Sequence, residues 1–111
     1  MTRFALAAIG LAVASGAFAT AASADPSFDC RFARKAAEIT ICGNDQLESL
    51  DREMSHLYYE RLEWFRGTKA RNLIKRTQKS WLRSRNACGY DAGCIASEYH
   101  ERIDWLRTFD I

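Results

Sequence analysis

The stretch Asn44-Asp45-Gln46-Leu47-Glu48-Ser49-Leu50-Asp51-Arg52-Glu53-Met54-Ser55-His56-Leu57-Tyr58, continuing through Leu62 and Phe65 to Gly67, decides the fold. Its apolar positions Leu47, Leu50, Met54, Leu57/Tyr58, Leu62 and Phe65 recur every three or four residues, the spacing of one helix face over about five turns. Asn44 suits an N-cap, and Asp45 and Glu48 place negative charge in the first turn, where the helix dipole favours it. Gly67 is the usual C′ residue at which such a helix stops.

Downstream the pattern repeats. Thr68 is a candidate cap for a second helix with the stripe Ala70, Ile74, Thr77 and Trp81, ending near Cys88-Gly89. Asp91 suits a third, with Ile95, Tyr99, Ile103, Leu106 and Phe109 on one side. Upstream, residues 31–40 allow only a short helical piece. The chain has a single proline, Pro26, and no segment alternates with period two. Short connections make neighbouring helices antiparallel. The expected fold is all-α: a small antiparallel three-helix bundle, up-down-up, with a disulfide-stapled N-terminal arm.

The N-terminus reads as a leader. Arg3 supplies the positive start, residues 4–14 form an apolar run too short for a bilayer span, and Ala22-Ser23-Ala24 is the small-x-small pattern that signal peptidase cleaves. Residues 1–24 are expected to be removed, leaving 25–111 as one domain that is periplasmic or secreted. Ser27-Phe28-Asp29 before Cys30 lacks the small apolar residues of a lipidation site. In an oxidising compartment Cys30, Cys42, Cys88 and Cys94 are expected as disulfides rather than metal ligands or redox thiols. Four cysteines allow three connectivities. Local pairing, Cys30–Cys42 and Cys88–Cys94, needs the least chain rearrangement and is preferred. Cross-pairing of Cys42 with Cys88 or Cys94 stays open, because all three fall at one end of the bundle. So small a domain buries only about 60–65% of its unfolded surface. Closing a loop the size of Cys30–Cys42 adds roughly 3 kcal/mol by loop entropy, and Cys88–Cys94 slightly less.

Removing Arg3 takes the net charge of +2 to about +1, so the distribution matters more than the total. Most acids of the first long helix fall away from its apolar stripe, but Asp51 lies about 40° from the stripe centre. Arg85 and Arg102 sit on the apolar sides of the second and third helices. A charge facing a core is costly unless paired. Asp51 is therefore expected to form a buried structural ion pair with Arg85, with Arg102 as a candidate third member; a functional carboxylate is the alternative, without a second acid to form a catalytic couple. From Arg66 to Arg85 there are eight Lys/Arg residues and no acid, whereas between Asp45 and Glu63 there are six acids and two arginines. These faces either attract each other along the helix seam, lie in solvent, or meet partners: a polyanion for the basic face, a cationic protein for the acidic one. The compartment disfavours nucleic acid.

His56 and His100 project to solvent without a ligand partner at metal spacing. Ser80, Ser84 and Ser97 lack His and acid companions, and there is no Gly-rich phosphate loop. No enzyme activity and no cofactor or metal are expected. Trp64, Trp81 and Trp105 are read as core packing at helix seams. The segment Gly89-Tyr90-Asp91-Ala92-Gly93, held between two cysteines, is either a plain turn or a rigid loop suited to a partner's cleft.

The segments Glu38-Ile39-Thr40-Ile41-Cys42, Leu47-Glu48-Ser49-Leu50-Asp51-Arg52-Glu53 with Leu57-Tyr58, and Gln78-Lys79-Ser80-Trp81-Leu82-Arg83-Ser84-Arg85-Asn86-Ala87-Cys88 together resemble the lysozyme-inhibitor LprI-like domain, long a domain of unknown function. Cys94, Tyr99 and Arg102-Ile103 through Leu106 are similar to its closing helix. Two departures, Lys35-Ala36-Ala37 in place of Thr-Pro-Val-type residues and a missing proline in Gly43-Asn44-Asp45-Gln46, touch the arm and the helix cap more than the bundle. The resemblance implies a small periplasmic or secreted helical domain that acts by protein–protein contact, with lysozyme or another envelope protein as partner. From the charge split and the stapled loop, rather than from the resemblance, Glu48, Glu53, Glu60 and Glu63 are expected to steer a cationic lysozyme. Its cleft is then occluded by the Cys88–Cys94 loop, with Tyr90 and Asp91, or by Arg83. The alternative is an envelope-surface module whose basic helix contacts anionic lipid or cell-wall polymer.

Overall fold

A computed structural model describes residues 26–110; the expected leader, residues 1–24, lies outside the described residues. A 3-10 turn, Cys30–Phe32, precedes four helices: α1 (Ala36–Cys42), α2 (Asp45–Trp64), α3 (Lys69–Ala87) and α4 (Ala92–Thr108). The Asn44 side chain caps α2 by accepting from the Leu47 N–H at 3.0 Å, and Asp91 caps α4 by accepting from the Cys94 N–H at 3.0 Å. Thr68 occupies the N-cap position of α3 without a side-chain cap, because its hydroxyl turns back and donates to the Phe65 carbonyl at 2.7 Å. Two residues beyond the α2 C-cap, Phe65, Gly67 takes φ +82°. That left-handed conformation is cheap only for glycine.

The three long helices run up-down-up. Contacts between α2 and α3 pair Asp51 with Arg85 and Met54 with Gln78, an antiparallel order. Those between α3 and α4 pair Trp81 with Glu98 and Gln78 with Arg102, again antiparallel. Along α2 and α4, Glu53 pairs with Arg107, and Arg61 donates to the Phe109 carbonyl. The core they share buries Leu47, Leu50, Met54, Leu62, Ile74, Trp81, Ile95, Tyr99, Ile103 and Leu106, with Phe65 and Ala70 at one end. Two disulfides brace it, Cys30–Cys42 with Cα atoms 5.8 Å apart and Cys88–Cys94 at 5.6 Å.

The bundle has four helices, not the three expected with an appended arm. Helix α1 touches each long helix, and its Ala37 and Ile41 are fully buried in the common core. The physical reason is the spacing of these two residues: at i and i+4 they form one ridge that faces the core, while Ile39 is left exposed on another face, and the Cys30–Cys42 bridge holds that ridge against the end of the bundle. Trp64 also departs from expectation. It is 74% exposed, because it lies on the flank of α2 beyond the stripe that faces the core.

Candidate functional site

Among the described residues, the one carboxylate that faces the core is built into a relay. Asp51 is wholly buried. Its Oδ1 accepts a 2.7 Å hydrogen bond from the Tyr99 hydroxyl, and its Oδ2 accepts one of 2.6 Å from the Ser27 backbone N–H. Arg85 Nη1 donates to the same Tyr99 oxygen at 3.2 Å and stands 3.9 Å from Asp51 Oδ1, the outer edge of ion-pair distance. The remaining donors of that guanidinium, Nε and Nη2, go to Asn86 Oδ1 at 3.1 and 2.8 Å. Burial, with the Asp51 charge beside it, pushes the Tyr99 hydroxyl well above the ordinary tyrosine range, so it stays a neutral donor. Asp51, Tyr99 and Arg85 thus tie α2, α4 and α3 together, and the Ser27 amide adds the N-terminal arm.

Arg102 does not share this site, contrary to the expectation. Its donors go to Gln78 Oε1 at 2.9 Å, Thr77 Oγ1 at 3.2 Å and the Ile74 carbonyl at 3.3 Å, and its guanidinium lies 4.6 Å from the Trp105 ring centroid. Burial without a carboxylate partner lowers its pKa to about 10. On α4 it lies one turn beyond Tyr99, and the Gln78 side chain that holds it also donates to Met54 Sδ at 3.2 Å.

Beside the relay a groove of about 430 Å³ opens between the arm with α1, the flank of α2 and the flank of α3. Asp51, Gln78 and Arg85 contribute to its lining, together with Phe28, Tyr58 and Tyr59 on one side and Lys75 and Lys79 on the other. Glu38 reaches it from α1. Burial alone would raise its carboxyl, but the Arg34 and Lys35 backbone N–H groups and the charges of Arg85 and Lys35 outweigh that and hold it below the usual range.

The residues singled out for partner contact do not converge on one patch. Glu53 pairs with Arg107 across to α4, Glu63 with Arg66, and Glu60 faces His56 at 3.9 Å; Glu48 sits half-buried near the α2 N-terminus. Arg83 is exposed on α3, away from these acids in sequence and helix. In the disulfide loop Tyr90 is 72% exposed, while the Asp91 carboxylate is engaged as the α4 cap. The exposed cations of α3, including Lys69, Lys75, Arg76, Lys79 and Arg83, make no salt bridge among the described residues. The seam between α2 and α3 therefore does not neutralise them.

Sequence reasoning missed the Tyr99 hydroxyl, the Ser27 amide and the paired tyrosines of the groove. Tyr99 carried a readable signal, as the sole phenol in an aliphatic stripe that must pass a core-facing acid. Backbone donors from the arm carry none. Among the described residues no helix is long and apolar enough to cross a membrane.

Comparison with known proteins follows the same span. Proteins named Lipoprotein LprI from Mycobacterium bovis and from two strains of Mycobacterium tuberculosis are each 29% identical over 94 residues, covering 82% of this chain and 46% of theirs. The chain thus spans about half the length of the curated relatives it matches. No solved structure matches it significantly. The relatives' name and the two disulfides agree on an extracytoplasmic location. The family described as Lysozyme inhibitor LprI matches residues 30–106, from the first cysteine to the last buried leucine, and the chain belongs to that family.

Proposed function

We propose that this domain is a non-enzymatic inhibitor that binds a lysozyme and occludes its cleft, acting in the periplasm or after secretion. The observation that carries the reading is the family match across residues 30–106. The surface best suited to the contact is the Cys88–Cys94 loop. It presents Tyr90 at 72% exposure on a covalently closed ring, so little conformational freedom is lost on binding, and tyrosine is among the residue types that dominate interface energies. Arg83, on the last turns of α3, is the nearby cation for a lysozyme's carboxylate-lined cleft. Glu53 and Glu63 of α2 already pair with arginines, which leaves the acids a secondary role in steering. Lytic assays with and without the oxidised protein test this reading. Inhibition at micromolar protein is expected, weakened about tenfold in Tyr90→Ala with an unchanged thermal midpoint. Undiminished lysis by c-, g- and i-type lysozymes would overturn it.

A second reading is favoured by the exposed cations of α3, which have no carboxylate partner among the described residues. An unneutralised basic face in an envelope compartment suits anionic polymer or lipid headgroups, with binding that falls as salt rises. Sedimentation with purified cell-wall polymer at low and high ionic strength tests it, and binding indifferent to salt would exclude it.

A further inference from the structure

We propose that the groove between α1, α2 and α3 binds a carboxylate-bearing saccharide, of the kind formed by the lactyl-substituted amino sugar of bacterial cell-wall glycan. This rests on the second reading above and gives it a specific pocket. A groove of about 430 Å³ falls in the range of small-ligand sites. Its aromatic side is Tyr59, 65% exposed, with Tyr58 edge-on at 5.0 Å and Phe28 also in the lining. Sugar rings pack their C–H faces on such aromatic bodies while hydroxyl groups reach phenol and water. The cationic side is Lys75 and Lys79, one helical turn apart, with no salt-bridge partner among the described residues.

The acids within the groove do not compete for those lysines. Asp51 is occupied by Tyr99 and Ser27, and Glu38 by the backbone N–H groups of Arg34 and Lys35. A neutral sugar would leave both ammonium groups idle, and a bare anion would leave the aromatic side empty. An extended peptide would need main-chain partners, and walls made of helices offer no free strand edge. A ring bearing a carboxylate uses both sides at once, the carboxylate taking charge-assisted hydrogen bonds from the two lysines.

Isothermal titration of the oxidised protein with an N-acetylglucosamine–N-acetylmuramic acid disaccharide tests the assignment, with the uncharged chitobiose and free lactate as comparison probes. Saturable binding of the acidic disaccharide is expected, with chitobiose and lactate each at least about tenfold weaker. Lys75→Gln, Lys79→Gln and Tyr59→Ala, all at exposed positions, should each weaken it about tenfold at unchanged far-UV circular dichroism. Arg76→Gln and Arg83→Gln, outside the groove lining, should leave it unchanged while lowering retention on intact polymer. Protein that is retained on polymer but binds no disaccharide would overturn the groove site and leave the polymer reading standing; loss of both would overturn both. Equal affinity for chitobiose, or indifference to the three groove variants, would also overturn the assignment.

Discussion

At Asp51 a carboxylate shut off from water depends on a phenol, a backbone amide and a guanidinium supplied by three other parts of the chain. Removing one member of such a set strands the others, and the cost follows from what is stranded. Asp51→Ala leaves Arg85 buried without its anion, and Arg85→Ala leaves the anion without its cation. Each is expected to destabilise by about 3 kcal/mol in urea unfolding. Tyr99→Phe keeps the ring packing against Trp81 but deletes the bridging oxygen, at about 1–3 kcal/mol. For Arg102 the expected cost is smaller. Its partners are neutral, and its lowered pKa, about 10, records that the folded state disfavours its charge. Arg102→Met strands no charge, only the Gln78 Oε1 and Ile74 carbonyl acceptors, and should cost about 1–2 kcal/mol, less than Arg85→Ala. Equal losses for Arg85→Ala and Arg102→Met would contradict this division. The need for a partner at Asp51 was legible from its angle on the stripe. The identity of the bridge was not, because angular position on separate helices does not reveal which side chains meet at depth.

Helix α1 shows how a short element acquires stability that its own propensity does not supply. A seven-residue helix is far below the length that persists alone in water. It is closed in front by Glu38, whose carboxylate accepts from the Arg34 and Lys35 N–H groups at 3.1 and 3.2 Å, and behind by Cys42 in the disulfide. Because the folded state holds the Glu38 carboxyl below its reference value of 4.5, this stabilisation is present above the unfolded pKa and is lost as pH falls through the folded one. Thermal melts from neutral pH down through pH 4.5 to about 3 should show a steeper acid limb for wild type than for Glu38→Gln; identical limbs would contradict the cap. Boundaries of the three long helices were legible because Asn44, Gly67 and Asp91 are strong punctuation. The role of α1 was not, since its apolar residues Ala36, Ala37, Ile39, Ile41 and Cys42 spread round so short a helix and mark no single face.

The molecule as a whole has one core rather than a bundle with a tether, and that difference is measurable. Ala37 has no exposed surface and belongs to α1, which meets all three long helices. A carboxylate there would be buried without a designed partner, a cost of several kcal/mol. If α1 were an accessory arm, Ala37→Asp would merely detach it, and the long helices would melt as before. Because α1 closes the core end, its loss exposes Ile41 and the faces it covers, so the penalty must reach the entire fold. Ala37→Asp is therefore expected to lower the thermal midpoint of the whole protein by at least about 10 °C, with circular dichroism at 222 nm and tryptophan emission changing together. The same substitution at neighbouring Lys35, exposed at the α1 N-cap, should shift the midpoint little, because aspartate is favoured at a cap and remains in water. A melt in which Ala37→Asp loses only a few per cent of helical signal before an unchanged main transition would restore the three-helix description.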